Sequence, residues 1–402
     1  MKQRKTAALA AFAVLGLAAH AANASACTHD NGGTGVLIGS ACIDANDEVV
    51  VIKTEEAVDL SPLAGGTMAV LVLSLGSGTD LSVLADLPNL RGLEISETDE
   101  ASIASLPLLP QLVELSLHTR GGLPSGLPTM AALEKLDLYV VEDFSLDFVD
   151  GMSALDSLRI TSRKKRNLSD LPFSPSLTKL TAKLTIFDNV AGVAAAPNLE
   201  EVRLTRFDRT SPVAVDFAPF ASLSKLTSLW LDGFVGAKFS SLMELTWLRR
   251  FECRQCDVDD ASFVAPLRNL INLSLYQNRL EEISPLAALS KLRVLILSKN
   301  PVADLAPLRG MPDLSNIQLR HTKIRDLSPL RDLRPNVLWV DRTAVSDLSP
   351  LADYREMLGL SIRGTAVTDL SPIAGIKIKH LNIRQTGVTD TSMISEKTKI
   401  LR

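Results

Sequence analysis

Two cysteines spaced as Cys253-x-x-Cys256 form the pattern in this chain that most invites a chemical role. A C-x-x-C pair brings two thiols together at the spacing found in zinc sites and in dithiol redox centres. A structural zinc site takes four ligands, and the sequence has no second Cys or His pair to complete one. The pair alone therefore leaves a redox role and a purely structural role open.

The histidines do not converge on a site either. His321 follows Arg320 directly, but no nucleophile with an orienting partner accompanies it. The sequence contains no phosphate-binding loop, nucleophile elbow or zinc-binding helix motif. It therefore predicts a protein that is not an enzyme and that has no cofactor and no metal site. A hydrolase of unknown mechanism is the last alternative.

A repeating unit positions all of these residues. Between Leu270 and Asp390 the chain follows the pattern L-x-x-L-x-L-x-x-N-x-I-x-D-L-S-P-L-x-x-L at intervals of 21 or 22 residues. The apolar positions 4 and 6 of each unit face the same way because side chains alternate along a strand. Stacked units bury that side against one another. The pattern predicts an α/β solenoid, namely a leucine-rich repeat horseshoe with a concave parallel β-sheet and convex short 3-10 or helical turns.

The repeat extends over most of the chain and gives about sixteen units. Asparagine at position 9 is predicted to turn inward and to bond backbone groups of neighbouring turns. In the Ser-Pro turn, Ser is predicted to cap the turn and Pro to occupy its first position. Position 9 falls on Glu55, Gly76, Thr98, Arg120, Val141, Arg163, Thr185, Phe207, Phe234, Cys256, Asn278, Asn300, Thr322, Thr343, Thr365 and Thr386.

The repeat register bears directly on the C-x-x-C pair. Cys253 falls at core position 6 and Cys256 at position 9, which repeats of this kind often fill with Cys. This placement favours a pair of structural thiols in the core over a metal or redox site.

The N-terminal region is predicted to direct export. Residues 1–26 combine a basic start, an apolar run over Ala7–Ala19 and several small-x-small cleavage sites, as in a signal peptide. We therefore expect a secreted or periplasmic protein, with an uncleaved anchor as the alternative. Lipoprotein anchoring at Cys27 is disfavoured because Ala24 stands where a larger aliphatic residue is expected. No transmembrane segment is expected in the mature chain.

Residues 27–48 are predicted to form an N-terminal cap, and residues 49–402 the leucine-rich repeat domain. The exposed end of a solenoid core requires such a cap. Cys27 and Cys42 flank a Gly-rich stretch in this region, and we expect them to form a disulfide in an oxidising compartment. The formal net charge of −4 gives no reason to expect nucleic acid as a partner, and we expect a monomer.

One interval departs from the repeat length. Phe207 and Phe234 are 27 residues apart, and the additional residues lie within Asp208 to Val215, directly after a predicted strand. An inserted loop on a solenoid is either a binding element or a neutral bulge. The sequence does not separate these two interpretations.

The predicted concave face is basic and aromatic although the whole chain is slightly acidic. Aromatic residues and arginine supply most of the binding energy in protein interfaces. We therefore predict a protein or acidic-glycan ligand centred near Trp230, Tyr276, Arg320 and Trp339; a face that is merely solvated is the alternative. Position 3 or 8 also places Arg206, Lys299 and His380 on this face. The predicted ligand-binding residues are Trp230, Arg254, Tyr276, Arg320, His321, Trp339, Arg342, Arg363 and Arg384.

The repeat unit with its D-L-S-P-L box resembles the internalin-type bacterial leucine-rich repeat proteins. The resemblance covers nearly everything after about Val49, and Asp326-Leu-Ser-Pro-Leu330 is one of its clearest boxes. It implies a horseshoe whose concave sheet binds another protein. The chain departs from that family in lacking a wall-anchoring tail, an immunoglobulin-like domain after the repeats and a long helical cap before them.

These observations support two main functional hypotheses. The first is an exported, non-catalytic recognition module that binds a protein, or an acidic glycan, on its concave face. The second is a structural envelope or scaffold protein whose concave face is only solvated.

Overall fold

The computed structural model describes residues 26–28, 34–38, 41–164, 167–169, 171 and 174–402. The predicted signal peptide therefore lies almost wholly outside the described residues. The chain forms two compact units, Met1–Met130 and Ala131–Arg402. The first begins with a small antiparallel sheet in which the central strand pairs with both others. Its strands are β1 (Ala26–Thr28), β2 (Thr34–Ile38) and β3 (Ala41–Ile43).

The rest of the first unit is a stack of parallel strands, each paired with the next. The strands are β4 (Val49–Lys53), β5 (Val70–Ser74), β6 (Gly92–Thr98) and β7 (Glu114–Thr119). Short turns return the chain between them: 3-10 turns at Ser61–Leu63 and Ser82–Asp86, and the one-turn helix α1 at Glu100–Ala104.

The second unit continues the same pattern, with each strand parallel to its neighbours. Its strands are β8 (Lys135–Val140), β9 (Ser157–Ser162), β10 (Lys179–Leu184), β11 (Glu201–Arg206), β12 (Ser228–Asp232), β13 (Arg250–Arg254), β14 (Asn272–Ser274), β15 (Val294–Ile296), β16 (Asn316–Gln318), β17 (Val337–Trp339), β18 (Glu356–Ser361), β19 (Lys377–Asn382) and β20 (Lys399–Leu401). Its 3-10 turns span Asp147–Val149, Ala191–Ala195, Ala218–Ser222, Phe239–Glu244, Ser262–Val264, Ser284–Ala288, Ala306–Leu308, Ser328–Leu330, Ser349–Leu351 and Ser371–Ile373.

The strand register confirms the repeat alignment made from the sequence. Strands β4 to β19 supply one strand to each of the sixteen repeats, and residues at equal repeat positions are direct partners, as in Trp230↔Glu252 and Gln318↔Trp339. Strand β20 was not anticipated. It pairs with β19 through Leu381↔Ile400, only 19 residues farther along the chain, so it falls outside the usual repeat interval.

Positions 4 and 6 form the core, as the pattern predicts. Leu273 is 1% exposed and Leu275 is fully buried, and the same positions are buried in every strand from β4 to β19. Burying one such leucine contributes about 2 kcal/mol before entropic costs are counted. We call the solvent-facing surface of the sheet, which carries positions 3, 5, 7 and 8 and was predicted to be concave, the open face.

The turn after each regular strand is built on two features. The residue at position 8 takes a positive φ, as at Lys299 (φ 59°), and this turns position 9 inward. There the side chain of Asn300 accepts a hydrogen bond from the Leu280 N–H at 3.1 Å and donates to the carbonyls of Leu275 at 2.7 Å and Leu297 at 2.9 Å. Asparagine thus joins successive repeats, as predicted.

Five repeats place a different residue inward than the sequence predicts, and in the first repeat Glu55 at position 9 is exposed. In strands β7 to β11 the alternation of inward and outward side chains continues for one more residue. Position 8 is therefore buried, and position 9 turns away from the core. The physical reason is that no residue there takes a positive φ at position 8, and strand pairing continues, as in Leu184↔Arg206. The buried residues are Thr119, Val140, Ser162, Leu184 and Arg206, where the sequence had suggested Arg120, Val141, Arg163, Thr185 and Phe207.

The capping role assigned to Ser in the Ser-Pro turn belongs to the preceding aspartate. One carboxylate oxygen of Asp326 accepts the Ser328 N–H at 2.7 Å, and the other accepts its hydroxyl at 2.6 Å. Leu327 occupies the cap position of the turn, with Ser and Pro following it. The same pair of bonds occurs at Asp347 and at Asp369.

These aspartates predict a loss of stability in acid. Hydrogen bonds from Ser328, Ser349 and Ser371 lower the pKa values of Asp326, Asp347 and Asp369. A lowered folded-state pKa contributes stability that is complete above the ordinary value of about 3.9 and is lost as the pH falls through the folded-state pKa. We expect the urea midpoint to fall steadily below about pH 4.

A variant separates this effect from general acid denaturation. Asparagine at the three positions keeps an oxygen that accepts the serine N–H but cannot be protonated in this range. The triple variant Asp326→Asn/Asp347→Asn/Asp369→Asn should therefore show a shallower decline of the midpoint between pH 5 and pH 2.5. Parallel declines for both proteins would show that these carboxylates do not contribute.

Candidate functional site

The open face of the second unit carries the predicted ligand-binding residues in rows. Position 5 forms one continuous row from Arg203 and Trp230 through to Asn382, with direct partners on successive strands. Positions 7 and 8 form further rows at the carboxyl ends of the strands. Among the nine predicted residues, Trp230, Tyr276, Arg320, Trp339 and Arg363 are half-buried, and Arg254, His321, Arg342 and Arg384 are exposed.

The strongest local arrangement is around Trp339. The guanidinium carbon of Arg320 lies 3.9 Å from the centroid of the Trp339 ring, a cation–π stack. The same guanidinium donates through Nε to Asp341 at 2.9 Å, and the Ser361 hydroxyl donates to the other carboxylate oxygen. The stack and the ion pair hold Arg320 and Trp339 in one arrangement.

Trp230 lies in a second, separate arrangement of the same kind. The guanidinium carbon of Arg203 lies 3.9 Å from the centroid of the Trp230 ring. Its Nε also donates to Glu201 at 2.7 Å. Trp230 is on β12 and Trp339 on β17, so the strand spacing places them about 24 Å apart. The structure therefore divides the predicted centre near Trp230, Tyr276, Arg320 and Trp339 into distinct clusters.

Tyr276 comes just after β14, which lies between the strands that carry these two clusters. It has a cation on each side. The guanidinium carbon of Arg254 is 5.4 Å and the Lys299 ammonium 5.3 Å from the centroid of its ring. Lys299 also contacts the side-chain oxygen of Gln277 at 3.3 Å. Tyr276 is thereby held between charged neighbours while its ring stays half-exposed.

Arg206 is not on the open face, contrary to the sequence prediction. It is the inward position-8 residue of β11 and is fully buried. Its side chain donates to the backbone carbonyls of Val235, at 3.2 Å, and Ser211, while Nε has no acceptor among the described residues. Desolvation lowers the pKa of Arg206, and the nearby carboxylates of Asp208 and Asp188 oppose that shift.

Hydrogen bonds and an ion pair hold the inserted loop after β11 in place. Asp208 accepts bonds from the Thr210 N–H at 2.8 Å and from its hydroxyl at 2.7 Å, which fixes the turn. Arg209 then reaches Asp232 on the open face at 3.1 Å and also contacts Gln255. Phe207, at the start of the loop, is 45% exposed. The loop therefore borders the part of the open face that carries Trp230.

His321 has an unusual electrostatic environment within the predicted site. Desolvation lowers the pKa of His321, and the charges of Arg342, Lys299 and Arg320 lower it further, against the opposing effect of Asp341. These surroundings therefore favour the uncharged form of the ring. We expect His321 to titrate below the ordinary value of about 6.5 in an NMR pH titration.

The neighbouring arginine offers a direct test of the cause. In Arg342→Gln the midpoint of His321 should move upward, because one repelling charge is removed. The matched substitution Arg384→Gln removes a charge that does not influence His321 and should leave its midpoint in place. Equal midpoints in both variants would contradict the assignment.

The four cysteines form two disulfides, and one detail of the prediction was wrong. Cys253 and Cys256 are buried in the core as predicted, yet they form a disulfide rather than remaining free thiols. The inward turn at position 9 brings their Cα atoms to 5.9 Å, inside the range of disulfides. Cys27 and Cys42 also form a disulfide, as predicted, with Cα atoms 5.8 Å apart. In the described part of the chain, no cluster of His, Cys, Asp or Glu could hold a metal ion.

Comparison with known proteins identifies the class. The family model of paired leucine-rich repeats matches residues 268–310. An internalin from Listeria monocytogenes has 17% identity, a TM-score of 0.52 and coverage of 86% of this chain and 89% of its own. A leucine-rich repeat protein of Leptospira interrogans has 16% identity, a TM-score of 0.57 and coverage of 79% and 91%. Residues 268–310 are thus leucine-rich repeats, and the fold of the chain is that of the internalin-type leucine-rich repeat proteins.

The same fold occurs in the structure of a protein complex. Toll from Drosophila, solved in its complex with Spatzle, has 15% identity, a TM-score of 0.60 and coverage of 85% of this chain and 54% of its own. No curated protein matches the chain by sequence. Among the described residues, no helix is long and apolar enough to cross a membrane.

Proposed function

We propose that this protein is an exported, non-catalytic recognition module that binds a protein ligand on its open face. The observation that carries the proposal is the pair of cation–π stacks, Arg203 on Trp230 and Arg320 on Trp339, with Tyr276 held between two cations. Large aromatic side chains that are already fixed lose little entropy on binding. Trp, Tyr and Arg are also the residues that most often supply binding energy in interfaces.

Two observations support export and the choice of ligand. Disulfides form and persist in oxidising compartments, and the two disulfides in this structure agree with a chain whose first residues resemble a secretory signal. The fold is shared with Toll, whose structure is a complex with another protein. An acidic glycan remains the alternative ligand, because the aromatic residues are accompanied by arginines.

The test is a pull-down from envelope and cell-surface extracts with purified protein as bait. We expect the wild type to capture a defined protein, and the variant Trp230→Ala/Tyr276→Ala/Trp339→Ala to lose it. Truncating an interface anchor typically costs about 2 kcal/mol or more, so loss of all three should remove measurable binding. Unfolding by urea is compared for both proteins to show that the fold is unchanged.

A control variant distinguishes the open face from general surface apolarity. Leu108 and Met243 are 57% and 39% exposed and lie outside the strands, so Leu108→Ala/Met243→Ala should retain capture. Equal capture by the triple variant and the wild type would overturn the proposed face and direct attention to the loop at Asp208 to Val215. Absence of any captured partner would favour the structural envelope or scaffold role.

A further inference from the structure

The open face is not evenly basic, because ion pairs neutralise its first part. Most cations along β11 to β13 form ion pairs with carboxylates on the same or adjacent strands. Such paired charges offer little to a charged ligand unless the pair is first broken. The pairs are Arg203–Glu201 at 2.7 Å, Arg209–Asp232 at 3.1 Å and Arg254–Glu252 at 3.8 Å.

The part of the face along β16 to β19 is different. Its positions 3, 5, 7 and 8 contain four arginines and one acid, Asp341, giving a net charge of +3 with histidines neutral. Asp341 is already engaged by Arg320 and Ser361. The other three arginines, which we call the arginine ladder, are Arg342, Arg363 and Arg384.

No side-chain carboxylate among the described residues pairs with the arginine ladder. Arg363 donates through Nε only to the amide oxygen of Gln385 at 3.0 Å, and Arg384 only to the backbone oxygen of Arg402 at 3.2 Å. Arg342 is exposed, and its side chain donates no hydrogen bond within the described part of the chain. Each guanidinium carries five N–H donors, so most of those in the ladder face solvent.

A gap beside the ladder exposes a further donor. Position 3 of β18 is Gly359, where an added Cβ would approach only the His380 carbonyl oxygen at 3.9 Å and the Trp339 Nε1 at 4.0 Å. Trp339 Nε1 has no acceptor among the described residues. The ring of Trp339 is therefore covered by Arg320, while its Nε1 lies beside the space that a side chain at position 359 would occupy.

We propose that this region binds an extended acidic peptide segment, whose carboxylates pair with the arginine ladder and whose backbone carbonyl accepts from Trp339. The region offers many donors and no free carboxylate acceptor, so its complement is a ligand rich in acceptors. Arginine forks match carboxylates in bidentate geometry. The ladder crosses three strands, about 10 Å, which three or four residues of an extended chain would span. This inference rests on the proposed function and names the chemistry of the protein segment recognised.

The test measures binding of a defined probe by fluorescence anisotropy. The probe is an octapeptide of alternating Glu and Gly with an uncharged dye, and its control has Gln in place of Glu. We expect the wild type to bind the acidic peptide at least tenfold more tightly than the control. The variant Arg342→Gln/Arg363→Gln/Arg384→Gln should weaken that binding at least tenfold.

A matched variant removes the same charge elsewhere. Arg120→Gln/Arg159→Gln/Arg279→Gln also lowers the net charge by three, yet acts where the carboxylates of Glu97, Asp137 and Asp257 pair with these arginines. It should weaken binding of the acidic peptide less than twofold. An equal loss in both triple variants would show attraction to net charge only, and would overturn the assignment to the arginine ladder.

Two further outcomes would also overturn this inference. Equal binding of the Glu and Gln peptides would exclude carboxylate recognition. Displacement of the acidic peptide at much lower concentration by a heparin-derived octasaccharide would identify an acidic glycan as the ligand instead. Capture of a protein partner that depends on Trp230, Tyr276 and Trp339, together with failure of the peptide test, would leave the recognition function in place and reject only the acidic segment.

Discussion

Replacing Asn300 by leucine is expected to lower the free energy of unfolding by about 4 kcal/mol. The Asn300 side chain satisfies the Leu280 N–H and the carbonyls of Leu275 and Leu297, all inside the stack. Leucine has similar volume but neither donor nor acceptor, so all three groups lose their partner. Each unsatisfied buried group costs about 1–3 kcal/mol. Urea unfolding measures the loss in the free energy of unfolding. Faster hydrogen exchange at the Leu280 amide would show that the loss arises at this turn.

Threonine at the same position should have an intermediate effect. In the later repeats the Thr322 hydroxyl donates to the Leu319 carbonyl at 2.8 Å within its own repeat. Asn300→Thr should therefore keep the bond to Leu297 but lose the two bonds to the preceding repeat, at a cost of about 2 kcal/mol. A loss for Asn300→Leu no larger than that for Asn300→Thr would show that the bond to Leu297 contributes nothing. An unchanged free energy of unfolding in Asn300→Thr would show the same of the bonds between repeats.

Replacing Gly192 by alanine is expected to destabilise the second unit by about 3 kcal/mol. Gly192 lies in the 3-10 turn Ala191–Ala195, directly against the backbone of the preceding repeat. An added Cβ would overlap the Leu168 carbonyl oxygen and lie 2.7 Å from its carbonyl carbon. Backbone atoms cannot rotate away as a side chain can, so the repeats must separate. The steric effect exceeds the gain of about 0.5–1 kcal/mol that alanine usually brings over glycine in a helix.

A second glycine on the same side of the stack provides the control. Gly375 follows the turn at Ser371–Ile373, and an added Cβ there would meet no atom within 4 Å. Gly375→Ala should leave the urea midpoint unchanged or raise it slightly through a less flexible unfolded chain. If Gly192→Ala behaved like Gly375→Ala, the close approach at Leu168 could not be correct.

The repeat register could be predicted from the sequence because it depends on local periodicity. The spacing of leucines, with Asn278 and Asn300 at position 9, identifies both the strands and the inward turns. Its prediction of sixteen repeats is confirmed by one strand in each. The added strand β20 could not be found in this way, because its interval from β19 is shorter than the repeat.

The length of the earlier strands could not be predicted, because two neighbouring residues compete for one inward position. Arg206 and Phe207 are adjacent, and hydrophobicity alone places the phenylalanine inside. The structure buries Arg206 because the inserted loop supplies the carbonyl of Ser211 as an acceptor. Such an acceptor comes from tertiary structure and has no signature in the local pattern.

The candidate site was predicted in its residue types but not in its internal pairing. Alternation places Trp339 and the arginines on the same face, and the structure agrees. Only the structure shows that Arg203 and Arg254 are neutralised by acids while Arg342 is not. Side-chain pairing depends on rotamers and on neighbours in adjacent repeats, which single-repeat patterns do not contain.

The pairing of each strand only with its immediate neighbours limits epistasis across the open face. Strands β12 and β17 are connected only through the strands between them, so Trp230 and Trp339 share no partner. Substitutions more than about 10 Å apart with no shared partner usually add in free energy. Changes near Trp230 and changes in the arginine ladder should therefore be thermodynamically independent. Substitutions at one end of the face can then accumulate in evolution without compensating mutations at the other.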